Sequence, residues 1–108
     1  MKCIWTPFAQ KELRKVLDYL IENFGVSSSI EYLNKVEQWD AWISENPTMA
    51  RLEPLLAHCT EHAYRSMVIR PYSKIILFED SRGVFIIDIW DMRRNPTKLV
   101  NRISDKKQ

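Results

Sequence analysis

The sequence is poor in cysteine and glycine, with two of each among 108 residues. Two cysteines are too few for a disulfide scaffold, and a reducing cytoplasm fits them best. The longest apolar runs, Ile75–Phe78 and Val84–Ile87, are far shorter than a membrane span, and no basic segment followed by an apolar one opens the chain. We therefore expect one cytoplasmic domain over residues 1–108, neither secreted nor anchored in a membrane.

Charge is divided unequally between the two halves of the chain, although the formal net charge is only +2. Residues 1–63 hold six basic and nine acidic side chains, which gives −3. Residues 64–108 hold ten basic and five acidic side chains, which gives +5. This asymmetry indicates an anionic partner for the C-terminal half.

Two helices are predicted in the first half. Thr6–Pro7 is typical of an N-cap and first helical residue, and Gly25 of a C-cap. Between them the apolar side chains recur at helical spacing. They are Leu13, Val16, Leu17, Leu20, Ile21 and Phe24. Ser28 and Glu31 have the spacing of a capping box, which predicts a second helix that runs to about Glu45. The short connection predicts an antiparallel helical hairpin.

The second half is predicted to be mostly strand. Pro47–Ala63 has no clear period and is interpreted as a connecting loop, with one helical turn around Leu55–Leu56. Three β-rich runs follow, Tyr64–Ile69, Lys74–Glu79 and Val84–Trp90. Their separations are so short that the strands must pair antiparallel, as a meander.

Alternation along the last run predicts which of its side chains face the helices. The expected core-facing side chains are Phe85, Ile87 and Ile89. Thr97 is expected to cap a short helix over residues 98–103, and residues 104–108 are expected to form a frayed polar tail.

Three segments resemble blocks of one known family. In Trp5–Leu13, an apolar strand runs into a helix through Thr-Pro. Tyr64–Ile76 contains "YRSMVI" followed by "YSKII", and Ile89–Pro96 has the sequence "IWDMRRNP". Together they are similar to the RelE/ParE superfamily of bacterial toxins from type II toxin-antitoxin systems. The resemblance implies an α+β fold: an N-terminal strand, a two-helix antiparallel hairpin, then a three-stranded antiparallel meander and a short C-terminal basic segment.

The resemblance also implies a role in the cell. Such proteins are cytoplasmic growth inhibitors, of the kind called plasmid stabilisation proteins, held inactive by a cognate antitoxin. It implies no cofactor and no membrane partner, and contact with DNA only indirectly, through the antitoxin.

The resemblance leaves the target of the toxin open. RelE-like members cut ribosome-bound mRNA, and Arg65, Lys74 and Arg93 or Arg94 fall at basic positions of that branch. These are therefore the catalytic candidates if the protein is an mRNA endoribonuclease. The tyrosine expected after the last arginine is replaced by Leu99, and arginine is a poor proton donor because it stays protonated. ParE-like action on DNA gyrase is preferred for this reason; the alternatives are the endoribonuclease and a degenerate member that only binds antitoxin.

Several of these residues also have simpler interpretations. In the simpler interpretation, Arg93 and Arg94 are two solvated arginines on the surface, and Arg65 and Lys74 are polar side chains on an exposed sheet face. Asp91 is placed either to orient a following arginine or to cap the turn.

Partner-binding residues are predicted on two surfaces. Trp42 lies outside the apolar stripe of its helix and predicts an exposed patch for an antitoxin helix. Arg93, Arg94 and Lys98 predict a basic surface for the target. The cluster of His58, Cys59 and His62 lacks a fourth ligand, so no metal site is expected.

Overall fold

The computed structural model describes residues 2–106, and the side chains of residues 2–104. It contains five strands, three α-helices and two short 3₁₀ turns, at Pro47–Met49 and Pro54–Leu56. The strands are β1 (Cys3–Trp5), β2 (Arg51–Leu52), β3 (Arg65–Ile69), β4 (Ser73–Asp80) and β5 (Gly83–Asp91). The helices are α1 (Pro7–Phe24), α2 (Val26–Glu45) and α3 (Pro96–Lys106). The predicted α+β order is confirmed.

The strands form one sheet in the order β1-β5-β4-β3-β2. The meander β3-β4-β5 is antiparallel, as predicted, and β1 joins its β5 edge in parallel. A parallel partner for β5 is possible because the helical hairpin and the meander separate the two strands in sequence. The loop predicted over Pro47–Ala63 also contains β2, whose Arg51 and Leu52 pair with the start of β3.

One glycine connects the two helices of the hairpin. Thr6 caps α1 as predicted, because its hydroxyl accepts a hydrogen bond from the Ala9 backbone N–H at 3.1 Å. Gly25 has a φ of 95°, a left-handed conformation that reverses the chain in a single residue. Helix α2 therefore begins at Val26, and the predicted capping box at Ser28 is wrong, since that residue already lies within the helix.

The sheet is covered on both faces. The hairpin covers one face. The buried side chains there come from both helices, from alternate sheet positions and, with Ala50, from the segment before β2: Ala9, Tyr32, Val36, Ile43, Ala50, Met67, Ile69, Ile75, Leu77, Val84, Ile86 and Ile89. Helix α3 and the turn at Pro54–Leu56 cover the other face, around Leu56, Tyr64, Ile76, Phe78, Ile87, Trp90, Leu99 and Ile103. The predicted basic C-terminal segment thus forms part of a second core.

A β-bulge changes the facing of β5. Ile76 pairs with Asp88 but the next residue of β4, Leu77, pairs with Ile86, so Ile87 is an extra residue on β5. One extra residue reverses the alternation of side chains along the strand. The expectation for Ile89 holds, but that for Phe85 and Ile87 is wrong, because both pack on the α3 face.

Helix α3 is longer than predicted and is capped by a different residue. It spans Pro96–Lys106, and the Asn95 side chain, not Thr97, accepts the capping hydrogen bond, from the Thr97 backbone N–H at 3.0 Å. The expected frayed tail is wrong for residues 104–106, which are helical; residues 107 and 108 lie outside the described residues.

A buried ion network fastens α3 to the rest of the domain. The Arg102 guanidinium donates to both carboxylate oxygens of Asp88 on β5 and, at 2.8 Å, to Glu12 on α1. Asp88 is fully buried, and burial is the main cause that raises its pKa, opposed by the hydrogen bonds from Arg102. One side chain of α3 thereby joins three elements.

Candidate functional site

The predicted basic residues that follow β5 lie on the surface in a fixed arrangement. Asp91 accepts from the Arg93 backbone N–H at 2.9 Å and from the Arg93 guanidinium at 2.9 Å. Asp91 therefore both caps the turn and orients the arginine, and Arg93 holds the pKa of this carboxyl below its usual value. The same guanidinium lies 4.2 Å from the centre of the Tyr72 ring.

Arg94 is positioned by stacking. Its guanidinium lies 4.7 Å from the centre of the Trp90 ring, and Arg102 lies 5.0 Å from the same ring. Because Trp90 is buried and Arg102 is tied to Asp88, the indole is a rigid support for Arg94. Lys98 follows in the first turn of α3, and Arg93, Arg94 and Lys98 are all exposed. These three residues are called the basic surface below.

Lys74, a catalytic candidate, lies inside the protein instead. It is 6% exposed, and its Nζ contacts Glu53 Oε1, which also accepts from the Ser66 hydroxyl at 2.8 Å. The other Glu53 oxygen accepts from the Leu55 backbone N–H at 2.9 Å. Burial raises the pKa of Glu53, but these hydrogen bonds outweigh it and leave the pKa below its usual value. The Lys74 ammonium is therefore already paired with a carboxylate.

Arg65, the other candidate on the meander, also bonds within the protein. Its guanidinium donates to the backbone carbonyl of Ala50 at 2.8 Å, which fixes the chain before β2 against β3. Arg65 and Lys74 thus contact the segment between α2 and β3, whereas Arg93 and Arg94, which follow β5, stack on the rings of Tyr72 and Trp90. The four catalytic candidates do not share one set of contacts.

The position of the expected tyrosine and the His58–His62 segment supply no proton donor beside the basic residues. Leu99, which stands where a tyrosine is expected, is fully buried in the second core. His62 stacks on Phe78, with 3.7 Å between ring centres. Among the described side chains, those of residues 2–104, no group of three His, Cys, Asp or Glu is placed to hold a metal ion.

The hairpin carries a wide apolar groove that no sequence pattern predicts. Its volume is about 730 Å³, and its lining is contributed by β1, α1 and α2: Trp5, Gln10, Leu13, Arg14, Leu17, Leu33, Val36, Glu37, Asp40 and Ala41. The Trp5 indole N–H donates to Asp40 at 2.6 Å and so ties β1 to α2 beside the groove. The spacing of Leu13 and Leu17 predicts burial, but both are only partly buried.

Trp42 is exposed, as its position in the helix predicts. It is 40% exposed and packs edge-on against Trp39, with 5.2 Å between ring centres. It follows Ala41, which lines the groove, so an apolar ring lies next to the groove residues in sequence. No helix in the described part of the chain is long and apolar enough to cross a membrane.

Comparison with known proteins identifies the family. A profile of the ParE toxin of type II toxin-antitoxin systems, parDE, matches residues 3–96. The chain belongs to the ParE toxin family. A solved structure described as the chromosomal ParDE toxin-antitoxin system from P. aeruginosa is similar to this ParE-family chain, with a TM-score of 0.66 and 13% identity. The match covers 84% of this chain and 95% of the other. No curated protein matches the sequence.

Proposed function

We propose that this ParE-family protein is the toxin of a type II module and inhibits growth by binding DNA gyrase through its basic surface, without covalent chemistry of its own. The observation that carries the choice of target is the pairing of Lys74 with Glu53. An ammonium that is buried against a carboxylate is a poor ligand for a phosphate, because the phosphate must first displace that carboxylate.

The ribonuclease alternative requires more than charge. Cleavage at a 2′-hydroxyl needs a base, a stabilised phosphorane and an acid for the leaving oxygen. Arg93 supplies charge but is paired with Asp91, and arginine does not donate its proton. Leu99 has no proton to donate. These features count against cleavage of RNA and in favour of binding to a protein target.

The basic surface is suited to bind a protein. Arginine and tyrosine are enriched among the residues that dominate binding energy, and Arg93 and Arg94 lie against Tyr72 and Trp90. Side chains that are already held by stacking lose less conformational freedom on binding. The basic surface therefore needs little reorganisation to meet an acidic partner.

The antitoxin is proposed to bind the hairpin groove. An amphipathic helix laid in an apolar groove is a common mode of recognition, and Leu13, Leu17 and Leu33 provide the apolar lining. Trp42 would extend that contact beyond the groove. An antitoxin whose C-terminal part is acidic could also approach the basic surface, and DNA would then be bound only through the antitoxin.

Growth measurements test the toxin role and the basic surface together. Expression of the wild-type chain should stop growth, and Arg93→Ala with Arg94→Ala should restore it while the circular dichroism spectrum stays unchanged. Arg82→Ala is the matched control, since Arg82 is also exposed, paired with an aspartate and stacked on an aromatic ring. Full toxicity of the double variant would exclude the basic surface as the effector site.

A further inference from the structure

A second, smaller cavity lies between the hairpin and the meander, next to the basic surface. Its volume is about 260 Å³. The buried part of its lining is formed by Glu12, Tyr32, Ser73 and Ile89, with the partly buried Val16 and Leu20. The exposed part is formed by aromatic and cationic side chains: Lys15, Tyr19, Tyr72, Arg93 and Arg94. An apolar interior with a few polar groups is typical of small-molecule sites.

Two polar atoms of the buried lining have no hydrogen-bond partner among the described residues, Tyr32 Oη and Glu12 Oε2, and Glu12 Oε2 lies 3.0 Å from Lys15 Nζ. Tyr32 is 4% exposed, and its hydroxyl lacks a hydrogen-bond partner among the described residues. Burial raises the pKa of this phenol, and the Ser73 side chain, which is close to the hydroxyl but outside hydrogen-bonding geometry, opposes that rise. A buried hydroxyl without a partner loses the hydrogen bonds that water would give it. A ligand that reaches Tyr32 with an acceptor or donor would restore one.

The charges around the cavity favour an anion. Three basic and two acidic side chains line it, which leaves a net charge of +1. Both carboxylates are engaged, Glu12 by Lys15 and Arg102 and Asp91 by Arg93. Arg94 has no carboxylate within ion-pair distance among the described side chains and is held in place over Trp90.

We propose that this cavity binds a small aromatic anion, with its ring among Val16, Leu20 and Ile89, its carboxylate or phosphate at Arg94, and a polar atom at the Tyr32 hydroxyl. Each part of such a ligand meets a matching part of the lining. The proposal does not rest on the action on gyrase: Arg94 belongs to both sites, but Tyr32 lies outside the basic surface and tests this site alone.

Calorimetric titration with three probes tests the proposal: 4-hydroxybenzoate, benzoate and inorganic phosphate. The wild-type protein should bind 4-hydroxybenzoate about fivefold to tenfold more tightly than benzoate, the effect expected of one additional hydrogen bond. Tyr32→Phe should abolish that difference. Arg94→Gln should weaken both aromatic acids by a similar factor.

Matched controls separate the site from general effects. Tyr64→Phe removes a hydroxyl from another equally buried tyrosine, in the second core, and Arg82→Gln removes another stacked, exposed arginine; neither should change binding. The proposal is overturned if no aromatic acid binds, if Tyr32→Phe retains the preference for 4-hydroxybenzoate, or if inorganic phosphate binds as tightly as the aromatic acids. Growth inhibition by Tyr32→Phe should stay unchanged, so failure of this site is distinguishable from failure of the toxin role.

Discussion

Arg102→Ala should strongly destabilise the domain, because it removes the cation from the buried network. Asp88 is fully buried and Glu12 is 7% exposed by side chain, whereas the Arg102 side chain itself is only 18% exposed. Removing one partner of a buried ion pair costs about 3–5 kcal/mol. Glu12 keeps its contact with Lys15, so we expect the lower end, about 3 kcal/mol. For a domain of this size the melting temperature should fall by more than about 10 °C.

Urea unfolding followed by tryptophan fluorescence measures the loss, since Trp90 lies beside Arg102. Arg82→Ala is the control, because its ion pair with Asp80 is exposed and should not contribute measurably. Adding Asp88→Asn to Arg102→Ala should recover part of the stability, since it neutralises the charge left without a partner. A loss below about 1 kcal/mol, or a double variant no more stable than the single one, would refute the account of the network.

Three further predictions concern single side chains. Folding lowers the pKa of Glu53. The stability that the ionised Glu53 contributes is therefore present above about pH 4.5 and is lost as the pH falls through the pKa of the folded state. The free energy of unfolding of Glu53→Gln should depend less on pH in that range. Gly83→Ala should lower the free energy of unfolding in urea by at least about 1 kcal/mol, because a Cβ there would lie 2.6 Å from the Lys2 carbonyl oxygen. Gly25→Ala should lower it by less, because a Cβ at Gly25 would have no atom within 4 Å. Trp42→Ala should weaken binding of an antitoxin segment at least about tenfold by calorimetry, and unchanged affinity would exclude Trp42 from that interface.

The elements that local signals define were predictable. Thr6–Pro7 and Gly25 mark the ends of α1, and the three runs of the meander are bounded within one residue by their polar turns. The facing of β5 was not predictable, because both faces of the sheet are buried. A strand that is apolar on both sides gives no alternation to reveal a bulge at Ile87.

The positions of the candidate site residues in the structure depend on contacts between residues that are distant in sequence. Lys74 meets Glu53, 21 residues away, and no local pattern connects them. The strand β2 is only two residues long and has no apolar period, so the sequence predicts a loop at this place. By contrast Asp91 and Arg93 are two residues apart, and their pairing is one of the alternatives that turn chemistry predicts.

Purified gyrase and mRNA-loaded ribosomes distinguish the proposed binding of gyrase from cleavage of RNA. The direct test adds the purified protein to a DNA supercoiling reaction of purified gyrase and, in parallel, to ribosomes carrying mRNA. We expect supercoiling to be inhibited by wild type and by Arg82→Ala but not by Arg93→Ala with Arg94→Ala, and we expect the mRNA to stay intact. Cleavage of the ribosome-bound mRNA with supercoiling unaffected would contradict the proposed binding of gyrase.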